Sequence, residues 1–145
     1  MPIVADASVA VKWFLPSGRA EQDGEKAVAI LESVRDGHMS LLQPPHWLAE
    51  VAAVLSRLSP STAQDDMTLL DAMQIPVMAS TELYVTACKL AIASGQHVFD
   101  TLYHAVSLLI PDATLVTADE RYYRKAKQLG AISLLGDFDL DRSGN

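Results

Sequence analysis

Four acidic residues, Asp6, Glu50, Asp100 and Asp119, each stand inside or at the lip of an apolar segment. A carboxylate in such a place costs free energy unless something cationic meets it. Glu50 is the sharpest case. Its neighbours one helical turn away are His46, Trp47, Ala53 and Val54, with no Lys or Arg at i±3 or i±4 to form a surface pair. Asp6, Asp100 and Asp119 could each serve as a helix N-cap, a position that favours Asp. Gathered together, the four would repel: two unit charges about 4 Å apart cost ~4 kcal/mol at an effective dielectric of 20. A hard divalent cation, Mg²⁺ or Mn²⁺, turns that repulsion into binding, because such ions take oxygen ligands. The chemistry this suggests is metal-assisted phosphodiester hydrolysis. Ser8 and Thr117 are auxiliary candidates, as hydroxyls aimed into the site or as turn and strand residues. His97 and His104 flank Asp100, but they lack the His or Cys support of a nitrogen-rich metal site.

The elements that would position these residues alternate along the chain. Strands are expected over 2–6, 39–42, 75–78, 114–117 and 131–135. Helices are expected over 7–14, 21–36, from Pro44 and Pro45 to Leu58, 62–73, 81–94, 100–110 and 119–129. Proline at a helix start and glycine at a helix end supply the boundaries at Pro45, Gly37, Gly95 and Gly130. In the 62–73 helix the apolar positions are Leu69, Leu70 and Met73. Short apolar strands between helices predict an α/β fold with a mainly parallel sheet. Its crevice would lie beyond the carboxyl ends of the strands. Asp6 ends the first strand and Asp119 follows the 114–117 strand, so both would reach one edge.

Composition sets limits. The 145 residues are 50% hydrophobic but only 6% aromatic, so Ala, Val, Leu and Ile must build the core. The lone Cys88 excludes an internal disulfide, is expected to pack as a small hydrophobe, and suits a cytoplasmic, reducing compartment. Neither a signal peptide nor a membrane span is expected. The net charge of −7 argues against nucleic acid, but if the four acids hold metal the remainder is −7 + 4 = −3. Arg121, Arg124 and Lys125, with Lys12 and Arg19, are the candidate contacts for RNA phosphates. No base-reading aromatic platform is evident. Tyr103, Tyr122 and Tyr123 could stack on bases, though tyrosines in such segments more often pack.

Four strings carry a family resemblance: VADASVAVKWF around Asp6, PPHWLAEVAAVL around Glu50, FDTLYHAVSL around Asp100 and LVTADERYYRKA around Asp119. In this order they resemble a PIN-domain ribonuclease, most of all a VapC-type toxin of a toxin–antitoxin pair. The resemblance implies a three-layer α/β/α sandwich over residues 1–140, with 141–145 a flexible tail. It implies an endoribonuclease whose Mg²⁺ or Mn²⁺ is held by Asp6, Glu50, Asp100 and Asp119. It also implies a homodimer silenced by a VapB-like antitoxin bound over the active site. Two other readings stand beside it. A haloacid-dehalogenase-like phosphatase would also place an Asp after its first strand, but it needs a second Asp where Ser8 stands. A non-catalytic binding module would leave Glu50 unexplained.

Overall fold

A computed structural model of the chain describes residues 1–15 and 23–141. Its centre is a parallel sheet with strand order β2-β1-β3-β4. The strands are β1 (Pro2–Ala5), β2 (Ser40–Leu41), β3 (Thr114–Thr117) and β4 (Ile132–Leu134). Ile3 pairs with Leu41 on one side and with Thr114 on the other, and Ala5 pairs with Val116. The chain leaves β1 to form β2 on one flank, then crosses back to form β3 on the other. The order therefore reverses at β1 and β3, and the crevice of such a sheet opens at the carboxyl ends of those strands.

Side-chain alternation along the strands builds the three layers. Ile3 and Ala5 of β1, with Leu41 and Val116, face a core closed by Ala27 and Ile30 of α2 (Gly24–Arg35) and by Leu135 and Phe138. Val4 and Leu115 face the opposite way. They meet Val51 and Leu55 of α3 (Trp47–Leu58), Leu83 and Ala87 of α5 (Thr81–Ser94), and Val106 of α6 (Val98–Leu109). A period of two along a strand buried on both faces produces this division. α1 (Ala7–Ala10), α4 (Ala63–Ala72) and α7 (Glu120–Ala126) complete the helices of the described residues. The fold is the expected α/β/α sandwich.

Several details differ from the sequence expectation. Residues 75–78 do not form a strand. Their link to the sheet is a single bridge between Gln43 and Val77. Pro76 has no N–H to offer, and its carbonyl instead accepts from the Gln43 backbone at 3.0 Å. α3 starts at Trp47, so Pro44 and Pro45 lead into the helix from outside it. α6 starts at Val98 with His97 at its cap, so Asp100 lies within the first turn and is not the N-cap. Cys88 is exposed, not packed. In α4, Leu70 is core whereas Leu69 and Met73 are exposed. No described helix is long and apolar enough to cross a membrane. Residues 142–145 of the expected tail, and Arg19, lie outside the described residues.

Candidate active site

Asp6 leaves the carboxyl end of β1 and caps α1. Its Oδ2 accepts the Ser8 backbone N–H at 3.0 Å and the Ser8 hydroxyl at 2.6 Å. Its own backbone N–H donates to Val116 O at 3.0 Å, which ties it to β3. The Ser8 hydroxyl also accepts from the backbone N–H of Ala118 at 3.0 Å. Thr117 Oγ1 lies 3.5 Å from Ser8 Oγ and accepts from Asp119 N–H at 3.1 Å. Asp119 Oδ1 in turn caps α7 by accepting from Tyr122 N–H at 3.0 Å. Ser8 and Thr117 thus join the turn after β1 to the turn after β3, and hold Asp6 and Asp119 in register.

A second device fixes Asp6 from the other side. The buried Gln43 side chain clamps Ala5, accepting from its N–H and donating to its C=O, each at 2.8 Å. This amide stands where a longer β2 would have paired with β1. The sequence marks Gln43 only as one polar residue between Leu42 and Pro44.

Glu50 comes from α3 and Asp100 from α6. His46, at i−4 from Glu50, places Nε2 3.0 Å from Glu50 Oε1. The same nitrogen lies 2.7 Å from Phe99 O, to which an Nε2–H must donate because a carbonyl only accepts. Glu50 Oε1 is consequently sealed from water with no hydrogen bond of its own. Glu50 does have a basic neighbour one turn away, and i−4 spacing was the signal for it. The partner is a histidine, so a search of the i±3 and i±4 positions for Lys or Arg does not find it.

Electrostatic coupling links Asp6 with Glu50 and Asp100, and Asp100 with Glu50 and Asp119. Burial pushes the Asp6 carboxyl up to about 6; the Ser8 hydrogen bonds oppose this, and the charges of Glu50 and Asp100 add to it. Burial also raises Asp100, with further contributions from Glu50 and Asp119, against weaker lowering by His97 and His46. The Tyr103 hydroxyl is raised by burial and then by Glu50, Asp6 and Asp100. The Tyr122 hydroxyl is raised by burial and then by Asp100, Asp6 and Asp119. Asp6 and Asp100, buried beside other carboxylates, hold their protons more tightly than in water.

These observations bear on a divalent cation. Among the described residues no three His, Cys, Asp or Glu side chains form a ready-made metal-holding group. The donor set nonetheless fits a hard ion. It is all oxygen, and it includes the unsatisfied Glu50 Oε1.

The PIN-domain family model matches residues 3–128. The chain is a PIN domain. PIN domains are generally nucleases, and the haloacid-dehalogenase-like reading is set aside. No curated protein matches the chain. Other candidates of this PIN domain are placed as follows. Arg121, Arg124 and Lys125 are exposed on α7, the helix that Asp119 caps. Lys12 lies in the turn Val11–Trp13 that continues α1. Tyr103 and Tyr122 are buried. His104 is sealed between the Tyr122 hydroxyl, 2.9 Å from Nδ1, and Gly130 O, 2.8 Å from Nε2. The carbonyl requires the proton on Nε2, so Tyr122 donates to Nδ1. Burial lowers the His104 pKa and keeps this neutral form.

Proposed function

We propose that this PIN domain is a Mg²⁺- or Mn²⁺-dependent endoribonuclease that hydrolyses RNA phosphodiester bonds, and that it is the toxin of a VapBC-type pair. The observation that carries the reading is that Asp6, at the carboxyl edge of a PIN sheet, and Asp100 are both raised by burial, each with Glu50 as a neighbouring charge and Asp100 also with Asp119. A binding module gives no reason to bury Asp6 and Asp100 beside other carboxylates.

Asp6 and Asp100 would hold the ion, with Glu50 and Asp119 directly or through water. Bound there, the ion supplies Lewis-acid charge for attack of water on phosphorus. The chain's own contribution is positional. Ser8 keeps one oxygen of Asp6 fixed by two hydrogen bonds, so its other oxygen has a defined direction. Gln43 fixes the backbone beneath it. Exposed Arg121, Arg124 and Lys125 are suited to flanking phosphates. The group of carboxylates also suits a VapB-like antitoxin, because an arginine could pair bidentately with them and displace the ion. We take the active chain to be a cytoplasmic homodimer.

The test is cleavage of RNA by the purified chain with Mg²⁺ or Mn²⁺, beside Asp6→Asn. Loss of cleavage in the variant and in chelator supports the reading. Metal-independent cleavage, or equal cleavage by the variant, refutes it. Copurification with a small basic protein encoded next to this gene tests the toxin assignment.

A further inference from the structure

Phe99 is 62% exposed, although its neighbours in α6 from Thr101 to Ser107 are buried. It immediately precedes Asp100. Its ring lies against His46, with centroids 5.5 Å apart and planes inclined by 34°. His46 in turn meets Tyr103 edge-on at 4.8 Å. Tyr103 is fully buried. The three rings are in serial contact, from the fully buried Tyr103 through His46 to the largely exposed Phe99. The series is also registered to the acids. His46 Nε2 touches the Phe99 carbonyl at 2.7 Å and Glu50 Oε1 at 3.0 Å. One imidazole therefore contacts both the residue that carries the exposed ring and a carboxylate of the site.

We propose that Phe99 is a stacking platform for an unpaired nucleobase next to the scissile phosphate. The inference rests on the nuclease reading and specifies which form of RNA the site takes. Every base has a π-face, and proteins that bind single strands offer aromatic side chains to it. A paired base inside a helix has both faces covered, so the platform selects a loop, a bulge or an end. The chemistry also answers a difficulty of charge. Phosphate contacts normally supply most nucleic-acid affinity, yet this chain carries −7. Stacking is uncharged and works beside an acidic pocket where Lys and Arg would compete with the metal. Phe99 is preorganised for it because His46 packs against its ring and its carbonyl.

The experiment compares wild type with Phe99→Ala, Phe99→Leu and Phe99→Trp. Leu keeps an apolar side chain but removes the π-face, and Trp enlarges it. Fluorescence anisotropy of a labelled unpaired oligoribonucleotide, recorded in Ca²⁺, reads binding apart from turnover. KM and kcat are measured in Mn²⁺, and the Mn²⁺-dependent rise in melting temperature reports the metal site. Phe99→Ala and Phe99→Leu should bind roughly 5- to 100-fold more weakly, mainly through KM. Phe99→Trp should bind at least as well as wild type. All three should keep the wild-type response to Mn²⁺, and a blunt duplex of the same sequence should bind more weakly than the unpaired strand. Wild-type binding by Phe99→Leu overturns the proposal. So does a change in oligomeric state by light scattering without a change in RNA affinity, which would assign the ring to a protein contact. A wild-type chain that responds to Mn²⁺ but neither binds nor cleaves RNA overturns the nuclease reading and the platform with it. Loss of RNA binding in the Phe99 variants alone cannot be mistaken for that result.

Discussion

Replacing Asp6 by Asn should stabilise the metal-free protein, and the structure indicates by how much. The Asp6 carboxyl titrates at about 6, against an ordinary 3.8. Between those values the folded protein binds more protons than the unfolded chain, so stability falls as pH rises through that window. Above it, the span corresponds to roughly 3 kcal/mol at about 1.36 kcal/mol per decade. The residue as a whole keeps some exposure, so screening trims this to roughly 2–3 kcal/mol. Asn keeps an oxygen for the Ser8 bonds and removes the charge. In EDTA at pH 8, Asp6→Asn should therefore melt roughly 5–10 °C above wild type. At pH 4 the two should nearly coincide. Thermal melts followed by circular dichroism across pH 4–8 measure both points. Added Mn²⁺ should narrow or reverse the gap at pH 8, since binding to the native state stabilises by mass action and the variant has lost a ligand charge. Equal stability of the two proteins at pH 8 in EDTA, or a gap that ignores pH, would refute the claim that Asp6 is held ionised at a cost.

Asp100→Asn should be as stable as wild type or more so without metal, and its melting temperature should rise less with Mn²⁺ while RNA cleavage falls; an equal metal response would remove Asp100 from the ligand set. Tyr122→Phe should cost about 1–3 kcal/mol, because His104 Nδ1 is left buried without a donor, and chemical denaturation would read this as a lower midpoint at unchanged slope. Gln43→Ala should cost more than a surface substitution and also lower metal affinity, since it unclamps both polar groups of Ala5; calorimetric titration with Mn²⁺ against denaturation separates the two effects. Antitoxin binding should weaken with salt and with Mn²⁺ if an arginine enters the pocket, whereas binding by an Asp6→Asn/Asp100→Asn variant that ignores both would place the antitoxin elsewhere.

The sequence alone determined the layer architecture and singled out the four acids. Strand β3 falls on 114–117 as expected, and α5 on 81–94, because a short buried apolar run and a Gly95 terminus are local signals. The acids stood out because a charge among apolar residues is anomalous wherever the chain folds. Other features were decided only by tertiary contact. Residues 75–78 have the composition of a strand, yet Pro76 and the Gln43 amide leave them a single bridge. Cys88 and Leu69 belong to apolar runs, but the face each helix buries depends on which neighbours cover it. Asp100 looked like a cap because the helix start depends on His97 and Val98. His46 lay in plain sight at i−4 from Glu50, while its hold on Phe99 joins residues 53 apart in sequence. Phe99 itself reads as one more apolar residue. That its ring is exposed beside the acids follows from how α3 meets α6, since exposure depends on the neighbours that packing supplies and those come from distant parts of the chain.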